Sequence, residues 1–392
     1  MIKKIITIGF LLPVLLQAQE SSGGEHGGSE QPGSPPAFSS AWQAAHLYED
    51  RENPSVHSFS LVGRYHGQYW ITDSGEDQSE DWENRRFYIG FKAGIFENFI
   101  LELQASVNDD FDPVYKGLYD AFVQWQETGG DLAISVGRLD YVYSGMERST
   151  SSKKIKTMER SLLVNHLMPG EVIGLYVSGK KSDFSYQAGL FSGSIEDEFT
   201  DFEGGFGALA GLGYKLPLWY EKGKLRVEYL YNDGNEHNSA FKPYEHIVSL
   251  WHEGEVGPLA VGIDLTAAAG VDEVSDVAGL TILPSYTIGH NLLLGGDSLQ
   301  LALRYHYASS CDDYGLSFNK RYERPVTSGK GDSYHSFYSG LNYYIYEQKL
   351  KLMAGVEYFS MDGVADPDEE LQDQEQKSVD GWSFITGLRF YF

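Results

Sequence analysis

The chain has 392 residues, of which 42% are hydrophobic and 14% aromatic, with 44 glycines and a formal charge of −26. Such acidity argues against nucleic-acid binding, because the phosphates of the partner would be repelled, and the single cysteine, Cys311, excludes an internal disulfide framework. Abundant aromatic residues and glycines with a negative mean hydropathy are typical of a transmembrane β-barrel, which needs an apolar band on only one face of each strand.

The N-terminus is predicted to be a secretory signal peptide over residues 1–18. Two lysines precede an apolar run of about a dozen residues that ends near the small residue Ala18, and a transmembrane anchor would need roughly 18 residues. Cleavage would leave 28 Lys and Arg against 56 Asp and Glu, a net charge of −28. Residues 19–56, rich in Gly, Ser, Pro, Glu and Gln with a short helical pattern around Trp42, are predicted to be a disordered periplasmic segment.

From Phe59 onward the apolar residues recur with a period of two, which indicates β-strands. About 16 such strands are predicted within residues 57–392, and an even number is expected when both ends of a barrel lie in the periplasm. Short connections, as at 96–98, alternate with long ones, as at 141–170 and 309–332, like periplasmic turns opposite extracellular loops. The predicted fold is all-β, a transmembrane antiparallel β-barrel with a long third loop folded inward.

The last twelve residues, 381–392, are predicted to be the strand that closes the barrel. One face carries a continuous apolar row with a single hydroxyl: Trp382, Phe384, Thr386, Leu388, Phe390 and Phe392. A terminal Phe with apolar residues two and four places before it resembles the closing strand of bacterial outer-membrane barrels, which the barrel assembly machinery recognises. We therefore expect this strand to pair with the first one near residues 59–69, in contact with outer-membrane lipid.

Strand parity turns a set of basic side chains away from the apolar face and into the predicted lumen: Arg64, Arg86, Lys92, Arg226, Arg304, Lys351 and Arg389. Four acids on the same face are candidate partners: Glu102, Asp120, Glu228 and Glu357. Two interpretations stay open, an anion path and a ladder of ion pairs that stiffens the interior. The same parity places Arg85 on the lipid face, unless the strand begins at Phe87.

The third long loop contains the densest basic run, with five bases between Arg148 and Arg160. It follows the fifth predicted strand, where barrel channels fold a loop inward to narrow the pore. Basic side chains and hydroxyls in such a constriction can replace the hydration shell of an anion.

Several motifs resemble the signature of the phosphate-selective porin O/P family, most specifically across 134–192. They are Val136-Gly137-Arg138, Thr150-Ser151-Ser152, Met158-Glu159-Arg160-Ser161 and Pro169-Gly170-Glu171-Val172-Ile173-Gly174. The resemblance implies a 16-stranded, trimeric barrel, and members of this family include channels for phosphate or polyphosphate.

The resemblance also implies which residues form the constriction. Arg85 and Arg86 correspond to its arginines, Asp120 to its acidic partner, and Arg148 to a position where the family can present a lysine. Ser151 and Ser152 correspond to a pair of hydroxyl residues in the family. With the neighbouring lysines, the predicted anion path comprises Arg85, Arg86, Asp120, Arg148, Ser151, Ser152, Lys153, Lys154 and Lys156.

The sequence thus predicts an outer-membrane porin, a homotrimer that lets small inorganic or organic anions such as phosphate diffuse passively. The alternatives are a general or sugar-conducting porin and a structural or adhesive barrel with little conductance. No Gly-x-Ser-x-Gly or His-Glu-x-x-His motif occurs, so no enzyme, metal or cofactor is predicted. Acidic runs at 73–83, 196–203 and 362–375 are explained either as a solvated exterior or as bridges through divalent cations to lipid headgroups.

Overall fold

The computed structural model describes residues 36–392 with these exceptions: Tyr141, Tyr143, Asp197, 217–221 and 366–376. The predicted signal peptide, 1–18, lies outside the described residues. The same holds for the first part of the predicted disordered segment and for residues 366–375 of the acidic run at 362–375.

The described chain forms one closed wall of sixteen long strands. They are β2 (Val56–Asp73), β3 (Gln78–Ile95), β4 (Phe99–Val107), β5 (Tyr115–Gln126), β6 (Leu132–Leu139), β7 (Val172–Lys181), β8 (Phe184–Ser192), β9 (Phe206–Lys215), β10 (Lys222–Asn232), β11 (Tyr244–Val256), β12 (Leu259–Gly270), β13 (Val277–His290), β14 (Ser298–Ser310), β17 (Ser333–Tyr346), β18 (Leu350–Val364) and β19 (Lys377–Tyr391). The other described elements are β1 (His46–Glu49), β15 (Leu316–Ser317), β16 (Lys330–Gly331), α1 (Pro36–Gln43), α2 (Met146–Ser149) and α3 (Leu162–Leu167).

Each wall strand pairs antiparallel with its neighbour, and β19 pairs with β2 to close the barrel. The closing register runs from Trp382 opposite Asp73 to Tyr391 opposite Arg64, so the predicted pairing of the last strand with the first is confirmed. Closure satisfies the backbone N–H and C=O groups of both edges, which lipid could not do. The predicted all-β barrel and its strand number are therefore confirmed.

Side chains alternate between the two faces of the wall. In β12, Ile263 and Leu265 are exposed on the outside, whereas Asp264 between them is buried in the lumen. Polar side chains are buried inside because two loops enter the barrel. The connection of residues 140–171, called the inserted loop below, follows the fifth wall strand as predicted. The connection of residues 311–332 also folds inward, which the sequence analysis did not foresee.

The N-terminal part of the described chain differs from the disorder predicted for 19–56. Helix α1 places Trp42 against the rings of Tyr346 and Phe390, and its indole Nε1 donates to the carbonyl of Tyr391 at 2.7 Å. Strand β1 pairs with the start of β2, beyond the end of β19. Among the described residues, no helix has the length and apolar character to cross a membrane.

Candidate functional site

The first half of the inserted loop is fastened to the wall strands β10, β11 and β12. The backbone N–H of Gly145 donates to the carboxylate of Glu228 at 2.8 Å, and that of Met146 donates to Asp264 at 2.7 Å. Glu228 also pairs with Arg226 of its own strand at 2.9 Å. The guanidinium of Arg226 is therefore already paired with an acid.

Arg304 of β14 anchors the middle of the inserted loop. Its guanidinium donates to Glu147 at 2.8 Å, to the carbonyl of Glu159 at 2.7 Å and to Glu357 of β18 at 2.7 Å. Arg304 and Glu147 are almost completely buried and Glu357 is partly buried, and charge-assisted bonds of this kind are among the stronger ones. Arg304 thus ties two segments of the loop to two wall strands.

Lys351 and Arg389 hold the next part of the inserted loop through its backbone. The Lys351 ammonium donates to the carbonyl of Ile155 at 3.0 Å, and Arg389 donates to the carbonyl of Met158. Asn342 of β17 donates to the carbonyl of Lys156 at 2.8 Å. The loop therefore covers these two bases, both fully buried.

A β-bulge in β3 corrects the parity argument at Arg85. His66 pairs with Arg86 but Gly67 pairs with Asn84, so Arg85 is the extra residue. A bulge of this kind turns two successive side chains to one face. Arg85 therefore faces the lumen rather than lipid, and binds Glu159 of the inserted loop at 2.7 Å.

The buried carboxylate of Glu159 is the main negative charge beside Arg85 and Arg86. Burial alone would raise its pKa, but the guanidinium groups of Arg85 and Arg86 hold the pKa of Glu159 well below its usual range. Arg86 itself lies beside the ring of His66, with 3.4 Å between Nη1 and Nδ1. Tyr322, from the other inward loop, donates to Glu159 at 3.2 Å, so the two loops meet here.

A second bulge, in β5, brings Tyr119 and Asp120 into the lumen together. Gln104 pairs with Asp120 while Ala105 pairs with Leu118, which leaves Tyr119 as the extra residue. Asp120 was predicted from the sequence but Tyr119 was not, because no residue type marks a bulge. Both side chains face the inserted loop.

Between the inserted loop and strands β2, β4 and β5 lies a cavity of about 150 Å³, called the constriction below. Its lining combines four basic, three acidic and three neutral polar residues: Arg64, Arg148, Lys153, Arg160, Glu102, Asp120, Asp140, Gln104, Tyr119 and Ser151. Four residues of the predicted anion path are therefore close together here, with Arg64 of the predicted lumen ladder.

Arg64 connects the wall to the tip of the inserted loop. Its Nη1 donates to the hydroxyl of Ser152 at 2.6 Å, and its guanidinium carbon lies 5.3 Å from the ring centre of Tyr88 and 5.5 Å from that of Tyr119. The two rings are stacked 3.8 Å apart. Contacts between a cation and aromatic faces fix the position of the guanidinium without cancelling its charge.

Arg148 clamps the two ends of the inserted loop. It forms an ion pair with Asp140 and donates to the carbonyls of Val142 at 3.2 Å and Pro169 at 3.1 Å. Burial would raise the pKa of Asp140, but the neighbouring Arg148 and Arg160 lower it. The guanidinium of Arg148 lines the constriction but is already bound to several acceptors.

The lysines of the inserted loop differ in position. The Lys153 ammonium lies 4.9 Å from the ring centre of Tyr391 and lines the cavity, and burial, together with the charge of Arg64, lowers the pKa of Lys153 to about 8. Lys154 is exposed and does not line the cavity, and Lys156 contributes its backbone carbonyl to the wall. On the wall, Lys92 pairs with Glu102 at 3.4 Å.

Four lining residues were not among the predicted site residues: Gln104, Tyr119, Asp140 and Arg160. Arg160 belongs to the basic run of the loop and to a family motif, so a signal for it existed. Asp140 directly follows a strand and carries no such signal. In the described part of the chain, no three His, Cys, Asp or Glu side chains are grouped to hold a metal ion.

Comparisons with solved structures bear on the fold. An anion-selective porin from Comamonas acidovorans is 10% identical, with a TM-score of 0.56, over 86% of this chain and 99% of that one. The outer-membrane channel DcaP of Acinetobacter baumannii is 11% identical, with a TM-score of 0.53, over 88% and 100%. OmpF of Salmonella typhi is 13% identical, with a TM-score of 0.56, over 88% and 100%.

A family described as phosphate-selective porin O and P matches residues 59–213, which include the inserted loop and both bulges. Among proteins with curated functions, none matches the sequence. The resemblance predicted from the motifs is confirmed over residues 59–213, which match the phosphate-selective porin O and P family, and the fold of the barrel is that of solved outer-membrane porins.

Proposed function

We propose that this porin lets small anions, phosphate among them, diffuse passively across the outer membrane through the constriction beside the inserted loop. The observation that carries the proposal is the cavity of about 150 Å³, which is lined by Arg64 of the wall and Lys153 of the inserted loop. Neither base has a carboxylate within 4 Å among the described residues. An ammonium and a guanidinium placed in this way can replace part of the hydration shell of an anion.

The hydroxyl of Ser151 supplies a neutral donor in the same cavity, where it is exposed. Arg148 and Arg160 also add positive potential to the cavity, although their N–H groups donate to carbonyls of the inserted loop. Field focusing in a narrow, low-dielectric passage strengthens the attraction of all four bases. Selectivity would therefore depend on local geometry rather than on the net charge of the chain.

A general diffusion porin is the second candidate, and the acids of the constriction favour it. Glu102, Asp120 and Asp140 line the same cavity and offset much of the positive charge. Bases and acids on facing walls would also admit neutral and zwitterionic solutes. The two candidates differ in one measurable quantity, the ratio of anion to cation permeability.

Assembly and export are further parts of the proposal. We propose a homotrimer, which is supported by a solved trimeric form of OmpT from Vibrio cholerae with the same fold, a TM-score of 0.51 and 11% identity. The signal peptide at 1–18, the periplasmic position of the mature N-terminus and recognition of Phe392 by the barrel assembly machinery are supported by the sequence patterns. The domain division at residue 57 is likewise a proposal.

The reversal potential of the purified porin in planar bilayers, with a tenfold KCl gradient, tests the function. We expect anion preference in the native protein and a shift toward cations in Arg64→Ala and Lys153→Ala. Lys154→Ala is the matched control, since it removes the same charge from the same loop outside the cavity. Cation preference in the native protein would contradict the anion proposal, and absence of conductance would favour the structural barrel.

A further inference from the structure

The turn between β13 and β14 carries three consecutive leucines on the surface. This leucine turn covers residues 291–297, with the sequence Asn-Leu-Leu-Leu-Gly-Gly-Asp. Leu292 is 46% exposed, Leu293 80% and Leu294 47%, and Leu293 is more exposed than any other large hydrophobic side chain that the structure describes. Exposure of three adjacent leucines to water is unfavourable, so a partner for this surface is expected.

The leucine turn is held in one conformation by the side chain of Asp297. This completely buried carboxylate accepts the backbone N–H of Leu292 at 2.7 Å, of Leu293 at 2.8 Å and of Leu294 at 3.2 Å. It also accepts the hydroxyl of Tyr343 from β17 at 2.5 Å. The leucines are therefore presented by a fixed backbone.

The leucine turn bends toward the outer face of the barrel. Tyr343 and Gly289 both pair with Leu299, whose side chain belongs to the outward row of β14. A Cβ on Gly289 would lie 3.1 Å from the terminal carbon of Leu292, which places Leu292 over that outward row. The exposed outward side chains Tyr286 and Ile288 lead up to the turn from β13.

The turn also lies at the periplasmic end of the wall, because it follows a descending strand, as do the turns at 96–98 and 347–349. Two of the other turns at this end are polar. Residues 127–131 read Glu-Thr-Gly-Gly-Asp, and residues 347–349 read Glu-Gln-Lys. Apolar residues also occur in other connections at this end, as at Phe96 and in the sequence Leu-Pro-Leu-Trp-Tyr at 216–220, and the leucine turn is continuous with the lipid-facing wall.

We propose that Leu292, Leu293 and Leu294 insert among the acyl chains of the inner, phospholipid leaflet of the outer membrane and anchor the periplasmic rim of the barrel. The lipid that surrounds the adjacent barrel wall is the partner of these leucines. The hydrogen bonds to Asp297 hold the leucines toward that lipid. This inference goes beyond the solute that the pore passes and does not depend on its charge.

Site-directed spin labelling in liposomes tests the anchor. On a Cys311→Ser background, which removes the exposed native thiol, one variant carries Leu293→Cys and the control carries Gly129→Cys. A Cβ on Gly129 meets nothing within 4 Å, so its label samples the polar turn freely. We expect the label at position 293 to relax several-fold more with oxygen than with a water-soluble nickel complex, and the label at 129 to show the reverse.

Preference for the nickel complex at position 293 would overturn the proposal, because the leucines would then face the periplasm. Broadening of the spectrum by a second label within the oligomer would also overturn it, in favour of a contact between copies of the chain. A second readout compares Leu293→Trp with the native protein, which has seven tryptophans: the additional fluorescence of the variant should be quenched at least twofold by phospholipids brominated on the acyl chain. Absence of quenching, in a protein that still conducts, would contradict insertion.

Discussion

The two sides of the lumen differ in what the inserted loop does to them. On the open side, strands β2 to β6, the loop leaves a cavity of about 150 Å³ lined by charged groups. On the sealed side, strands β10 to β19, α3 packs Leu163 and Leu167 against the wall, and the remaining space beside Asp264 is about 10 Å³. That volume is close to the minimum for one water molecule, so the proposed diffusion path lies on the open side.

A base that faces the lumen does not necessarily meet a permeating ion. Arg304, Lys351 and Arg389 on the sealed side are covered by the carbonyls and carboxylates of the inserted loop. Arg64 and Lys153 are near the open cavity. The same residue type thus fastens a loop on one side and can attract a solute on the other.

The largest effect is expected from Arg304→Met, which breaks the main anchor of the sealed side. The change leaves the buried carboxylates of Glu147 and Glu357 without their partner, and loss of one member of a buried ion pair typically costs about 3–5 kcal/mol. Urea unfolding of the refolded protein in detergent micelles should show this loss of unfolding free energy. Single-channel conductance should rise or become noisy, because the inserted loop would move away from the barrel wall.

Lys154→Met is the control for Arg304→Met, because this exposed lysine of the same loop has no anchoring role in the structure. Its unfolding free energy should change by less than about 0.5 kcal/mol. An Arg304→Met protein with native stability and native conductance would show that the sealed side does not depend on this anchor.

Lys351→Met separates stability from selectivity. The lost charged hydrogen bond to the carbonyl of Ile155 should lower the unfolding free energy by about 1.5–3 kcal/mol. The reversal potential in a salt gradient should stay within error of the native value, because Lys351 is fully buried beneath the loop. A shift of the reversal potential as large as that expected for Arg64→Ala would contradict the proposed difference between the sealed and the open side.

The sequence predicted the barrel well because its signal is local and repeated. Alternation with a period of two over each strand, and the alternation of short and long connections, gave the strand number, the closure by 381–392 and the inward third loop. A misjudged boundary in one strand does not change such a pattern. The second inward loop was missed, because nothing in the composition of 311–332 indicates that it turns into the lumen.

The constriction could be predicted only in part, for two physical reasons. One extra residue in a strand reverses parity, and neither Arg85 nor Tyr119 carries a mark of the bulge it occupies. The second reason is distance along the chain. Arg304 binds Glu147, 157 positions away, and only the folded loop decides which bases are covered.

Titration of Lys153 provides a test of the open side by pH. Burial and Arg64 lower the pKa of Lys153 to about 8, so the lysine is charged below that pH and loses its charge as the pH rises through it. Anion preference should therefore fall between pH 7 and 9, and the charged fraction decreases about tenfold per unit above the pKa. Reversal potentials in a pH series measure this fall.

Lys153→Arg is the conservative control for the pH series, since a guanidinium stays charged throughout this range. Its anion preference should be flat from pH 7 to 9. A native protein with the same flat profile would mean that Lys153 does not contribute to the field in the constriction.

The smallest effect is expected from Trp42→Ala, which touches the outer surface of the sealed side and neither cavity. The variant loses the hydrogen bond to the carbonyl of Tyr391 and the contacts with the rings of Tyr346 and Phe390. One neutral hydrogen bond contributes about 0.5–1.5 kcal/mol, so the midpoint of heat-induced unfolding on gels should fall by a few degrees. Trp82→Ala, on the outer face of β3, is the matched control for loss of an indole and should shift the midpoint less. Because α1 lies outside the barrel, the reversal potential should be native in both variants, and a change in Trp42→Ala would mean that the N-terminal helix affects the pore.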